Sequence, residues 1–184
     1  MIDFSGANRQ RSSSVWIHGI EYPVKTDFYL WIKFGQLTEG RKTIVPDEVN
    51  FLYQWKIPED RETGFRELVK FYENRQPLPR PSGKTYGIIP YDWKLDSEYI
   101  YAAFMQQYGI DLIKTNLHWF DFCALFNGLV NTKLNDIISA RHGKEKKGPL
   151  AEMRHAWEII RDDPDLLPAS QRRRNADWPT TEQK

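Results

Sequence analysis

The chain has 184 residues, of which 40% are hydrophobic and 14% aromatic, so it can build one domain with a substantial core but not two large ones. Its 26 basic and 25 acidic residues give a formal net charge of +1, which excludes a strong overall field for attracting nucleic acid, a membrane or an acidic substrate. The sequence has neither a secretory leader pattern nor an apolar run long enough to cross a bilayer, and we therefore expect a soluble cytoplasmic protein.

The chain opens with a polar segment and a predicted β-hairpin. Residues 1–14 are rich in Ser, Arg and Asn, which predicts a disordered arm. Two short runs of β-branched and aromatic residues follow at 15–17 and 20–25. His18 and Gly19 lie between these runs, and they predict the tight turn of a hairpin.

Three helices are predicted next. Thr26 and Asp27 can cap the first, Pro46 begins the second, and the third covers about residues 59–74. Gly64 should weaken the third helix by about 1 kcal/mol relative to alanine. The residues expected to face the core recur at helical spacing, and they are Phe28, Trp31, Phe34 and Leu37 in the first helix, Val49, Leu52 and Tyr53 in the second, and Phe65, Leu68, Val69 and Tyr72 in the third.

A long crossover loop is predicted at residues 76–92. This stretch contains four prolines and two glycines, a density that excludes a regular helix. Lys84 follows Gly83, but the rest of a phosphate-binding loop is missing. A plain exposed loop is therefore the preferred interpretation.

The segment from Trp93 to Arg141 is the most clearly patterned part of the chain and predicts three successive helices. Asp96 or Ser97 can cap the first, Asn116 the second, and Asn131 or Thr132 the third. The short joints between them favour antiparallel neighbours. The expected buried faces are Ile100, Phe104 and Tyr108, then Trp119, Phe122, Cys123 and Phe126, then Leu134, Ile137, Ile138 and Arg141.

The same segment carries a resemblance to a known family. Its motifs are Ser97-Glu98-Tyr99-Ile100-Tyr101-Ala102-Ala103-Phe104, Tyr108-Gly109-Ile110-Asp111-Leu112, Leu117-His118-Trp119, Phe122, Ala124-Leu125-Phe126, Gly128-Leu129 and Thr132-Lys133-Leu134. With these motifs the sequence resembles a tailed-phage protein family named after gene product fifteen of a Gram-positive siphophage. The match is densest from about Asp92 to about Arg141, and looser back to about Val15.

The resemblance implies a role in building a phage tail. Members of that family are regarded as tail assembly chaperones encoded beside the tape-measure gene. The implied partners are the tape-measure protein and the major tail (tube) protein, with a possible homo-oligomer and no membrane. The implied location is the host cytoplasm, and the protein is not expected in the mature virion.

Residues 143–163 are predicted to be a linker followed by a last amphipathic helix. Leu150, Met153, Trp157 and Ile160 fall on one face of that helix. Either this face is a loosely attached docking stripe for a partner, or the helix packs back and completes the core. The polar residues 164–184 predict a disordered tail.

The predicted fold is mainly α, with a small N-terminal β-hairpin and a helical core domain at residues 15–142. Seven Trp, nine Tyr and ten Phe exceed the needs of a small helical core. They either fill an irregular core or form a partner surface, because Trp and Tyr are favoured anchors at interfaces. The candidate partner-binding residues are Trp119, Phe120, Leu150, Met153, Trp157 and Ile160, and Trp16, Trp55, Trp93 and Trp178 lie at the edges of predicted elements.

No pattern of catalytic or metal-binding residues emerges, so we expect neither an enzyme nor a bound cofactor. The single cysteine, Cys123, lies in an apolar helix and is interpreted as a core residue. The four histidines fall in four separate elements, without metal-ligand spacing. Arg172, Arg173 and Arg174 with Trp178 leave one alternative, a small nucleic-acid-associated phage regulator.

Overall fold

The structure, a computed structural model, describes residues 11–38, 46–73, 89–143 and 147–159. These residues form mainly helices with one two-stranded antiparallel hairpin, which confirms the predicted fold class. The strands are β1 (Ser14–Ile17) and β2 (Ile20–Pro23). The helices are α1 (Phe28–Thr38), a 3-10 helix (Pro46–Leu52), α2 (Arg61–Tyr72), α3 (Ser97–Tyr108), α4 (Trp119–Asn127), α5 (Lys133–His142) and α6 (Pro149–Trp157).

The hairpin forms around a turn whose two central residues both have positive φ. His18 has φ 50° and Gly19 has φ 78°, the combination that a two-residue type I′ turn requires. The turn sets the register, in which Val15 faces Tyr22 and Trp16 faces Glu21. Val15 and Tyr22 are buried on one face of the hairpin, and Trp16 is exposed on the other.

The chain divides into two compact units. The first comprises residues 1–80 and 104–129, and the second comprises residues 81–103 and 130–184. The three helices predicted as antiparallel neighbours are therefore divided, since α4 belongs to the first unit and α5 to the second. The boundaries predicted at residues 14, 142 and 163 remain predictions.

In the first unit, α1 packs against α4, and α2 packs against β1 and the 3-10 helix. The predicted inward residues Phe28, Trp31 and Phe34 of α1 are buried. In the 3-10 helix and just after it, Val49, Leu52 and Tyr53 are also buried as predicted. The buried face of α2 differs from the predicted one. Its large buried side chains are Leu68 and Phe71. The other residues predicted to face the core are half-buried, and they are Phe65, Val69 and Tyr72.

The helix α4 begins two residues later than the position expected from an Asn116 cap. Its N-cap is His118, whose side chain accepts a hydrogen bond from the amide of Phe120. Asn116 donates instead to the carboxylate of Asp27. The backbone explains this change, because residues around Asp27 and His118 pair as an isolated antiparallel bridge and keep the chain extended up to His118.

In the second unit, α5 packs against α6. Thr132 caps α5 as predicted, and its hydroxyl and Asn135 form a reciprocal capping box. Pro149 lies in the first turn of α6, where its fixed φ suits the start of a helix. Of the two alternatives left open for the last helix, the structure shows the packed one, since α6 packs against α5 and Arg141 donates to the carbonyl of Trp157.

Several predictions concern residues outside the described ranges. These are residues 1–10 of the arm, most of the 76–92 crossover with Lys84, and the tail from residue 164 onwards. By contrast, residues 11–14 of the predicted arm are held in place. Arg11 pairs with Asp121 at 2.7 Å, and Val24 donates its amide to the carbonyl of Ser13.

Candidate partner-binding surfaces

An aromatic stack in the first unit contains the two candidate residues of α4. Trp119 is 2% exposed and lies against Trp31, Tyr72 and Phe122. Its indole nitrogen donates to the carbonyl of Tyr72 at 2.9 Å. Because every polar and apolar part of this side chain has a partner in the unit, Trp119 acts here as a packing residue.

Phe120 is likewise enclosed. It is 5% exposed, and its ring centroid lies 4.5 Å from that of Phe71 and 5.1 Å from the ring of His118. A partner could reach Phe120 or Trp119 only after local unfolding of this unit. The sequence shows that both residues are apolar and lie in a predicted helix, but it cannot distinguish an interface residue from a core residue.

His118 links the N-terminal segment to the start of α4. Its Nδ1 accepts from the amide of Phe120 at 3.1 Å, so the ring proton is on Nε2, which donates to the carbonyl of Ser12 at 3.0 Å. Burial lowers the pKa of His118, which favours the neutral ring that this arrangement requires. The side chain is therefore a helix cap in the neutral state.

Cys123 is a half-buried residue of α4. Burial raises the pKa of its thiol to about 12, so the thiol is protonated at neutral pH. A nucleophilic cysteine needs the opposite shift. This environment agrees with the interpretation of Cys123 as a packing residue.

Two exposed tryptophans of the first unit lie on the hairpin and just after the bridge at Tyr53. Trp55 is 82% exposed and Trp16 is 59% exposed. Trp55 follows Tyr53, which forms an antiparallel bridge with Val24 at the end of the hairpin. These two tryptophans are the strongest candidates for anchors that a partner could bury, because large exposed aromatic rings gain most from removal from water.

The candidate residues of the last helix have mixed surroundings. Trp157 is half-buried, with its ring centroid 5.3 Å from that of Tyr99 in an edge-to-face contact. Met153 is 37% exposed. Ile160 and the side chain of Leu150 lie outside the part of the chain that the structure describes.

A buried ion pair organises the second unit. Arg141 donates from Nη1 and Nη2 to the two carboxylate oxygens of Asp96, at 2.6 and 2.8 Å. The same guanidinium donates to the carbonyl of Pro90 at 2.9 Å and, from Nε, to the carbonyl of Trp157 at 2.7 Å. The amide of Asp92 donates to Asp96 at 2.8 Å. One side chain thus joins α5, the approach to α3 and the end of α6.

The sequence predicts Asp96 or Ser97 as the cap of α3. In the structure the carboxylate of Asp96 pairs with Arg141. The available signal was the position of Arg141 on the apolar face of the predicted third helix, since a charged residue at such a position needs a buried partner.

Within the described ranges, no group of three or more His, Cys, Asp or Glu side chains is placed to hold a metal ion. Over the same ranges, no helix combines the length and apolar character needed to cross a membrane. The arginine cluster at 172–174 and Trp178 lie outside the described residues.

These features define a small, mainly helical protein with an aromatic core and exposed aromatic side chains. The chain belongs to the Bacteriophage Gp15 protein family, whose model matches residues 10–163. It is therefore a bacteriophage protein. No curated protein and no solved structure matches the chain.

Proposed function

We propose that this protein is a non-catalytic tail assembly chaperone that binds the tape-measure protein and helps to recruit tail-tube subunits. The observation that carries the proposal is family membership over residues 10–163. The specific role comes from the family resemblance, which implies a tail assembly chaperone encoded beside the tape-measure gene. The proposed site of action is the host cytoplasm, before the tail is complete.

The surface of the first unit supports this proposal physically. A long amphipathic helical protein exposes apolar stripes until the tail tube encloses it, and these stripes promote aggregation. Trp16 and Trp55 expose large apolar rings that can cover such stripes temporarily. Ile113, which is also largely exposed, adds aliphatic surface in the same unit.

Co-expression with the tape-measure gene tests the proposal. The chaperone should keep the tape-measure protein soluble and should co-purify with it at raised salt, because apolar contacts persist where phosphate-driven binding weakens steeply. A tape-measure protein that stays insoluble, or is lost from the complex, would contradict the proposal. Retention of nucleic acid that disappears at raised salt would instead favour the regulator alternative.

A further inference from the structure

We draw no further inference here: the strongest candidate, the exposed surface patch of Trp16 on the hairpin and Trp55 after the bridge at Tyr53, belongs to the surface already described, and nothing in the described part of the chain shows what covers it.

Discussion

Gly64 lies where two neighbouring side chains leave no room for a methyl group. A Cβ at this position would be 2.7 Å from Cγ of Pro58 and 2.8 Å from the hydroxyl oxygen of Tyr53. Alanine is the better helix former by about 1 kcal/mol. We nevertheless expect Gly64→Ala to lower the free energy of unfolding by about 1–3 kcal/mol, because overpacking outweighs propensity. Urea denaturation measures the change.

The Tyr53 hydroxyl provides a control for this overpacking. In a Tyr53→Phe background the alanine methyl meets one atom fewer, so Gly64→Ala should cost less there than in wild type. The same cost in both backgrounds would contradict the steric explanation.

The Tyr53 hydroxyl also allows a comparison between two tyrosines. It is buried and has no hydrogen-bond partner in the described part of the chain, whereas the hydroxyl of Tyr108 donates to the carbonyl of Leu125 at 2.9 Å. Tyr53→Phe should leave the free energy of unfolding unchanged or raise it, and Tyr108→Phe should lower it by about 1 kcal/mol. Chemical denaturation of both variants checks this, and equal losses would show that Tyr53 has a partner.

At the scale of a single helix, the cap on α4 makes stability depend on pH. Burial lowers the folded pKa of His118 below the unfolded value of about 6.5, so the unfolded chain binds the proton more readily. The stabilisation is complete above about pH 6.5 and is lost as the pH falls through the folded pKa. A protonated Nδ1 can no longer accept from the amide of Phe120.

His118→Asn isolates this effect, because an asparagine oxygen can cap the helix without titrating. The difference in free energy of unfolding between wild type and variant should shrink as the pH falls from about 7 to about 5. Denaturation curves at several pH values give this difference. Parallel pH profiles for the two proteins would exclude the cap as the titrating group.

The buried Asp96–Arg141 ion pair connects several elements of the second unit, so truncating one partner should lower the free energy of unfolding strongly. Replacing Arg141 by methionine leaves the Asp96 carboxylate buried without its cation, and we expect a loss of about 3–5 kcal/mol. Arg141→Lys should also destabilise, because an ammonium cannot donate to both carboxylate oxygens in the fork geometry. Thermal and chemical denaturation measure both.

A second substitution shows whether the loss comes from an unpaired charge. The double variant Asp96→Leu with Arg141→Met removes both charges and should recover part of the stability lost in Arg141→Met. A double variant that is less stable than Arg141→Met would contradict this explanation. It would show that the attraction between the two charged groups stabilises the unit, and that the cost of an unpaired charge does not account for the loss.

At the scale of the whole molecule, a substitution at an exposed aromatic ring should change partner binding without changing the stability of the fold. Trp55→Ala should change the free energy of unfolding by no more than about 0.5 kcal/mol, because the ring is largely in solvent. If Trp55 is an anchor, the substitution should weaken binding to the tape-measure protein by about 2 kcal/mol. The exposed neighbour Glu59, changed to alanine, is the control. Equal retention of the partner by both variants would remove Trp55 from the interface.

Local signals in the sequence were sufficient for the helices and the hairpin. The turn at His18 and Gly19 and the capping box at Thr132 each depend on residues that are close together in the chain. Such features are determined by neighbouring backbone geometry and short-range hydrogen bonds, so sequence spacing predicts them.

The start of α4 could not be predicted in this way. Asn116 is a good cap by residue type, but long-range backbone pairing near Asp27 keeps the chain extended as far as His118. The surroundings of the candidate interface residues could not be predicted for a related reason, because a periodic apolar face does not show what covers it. Trp119 and Phe120 proved to be covered by the first unit itself, while Trp55 remained exposed.

The sequence by itself determined that this is a mainly helical bacteriophage protein with a hairpin near its start, since periodicity, caps and family motifs are properties of the chain alone. Only the tertiary structure decided which polar groups pair across the fold. Asp96 and Arg141 are 45 positions apart, and no local rule connects a cap-like aspartate with an arginine on an apolar helix face. Their pairing follows from burial, because a charge removed from water needs an opposite charge or hydrogen-bond acceptors within reach.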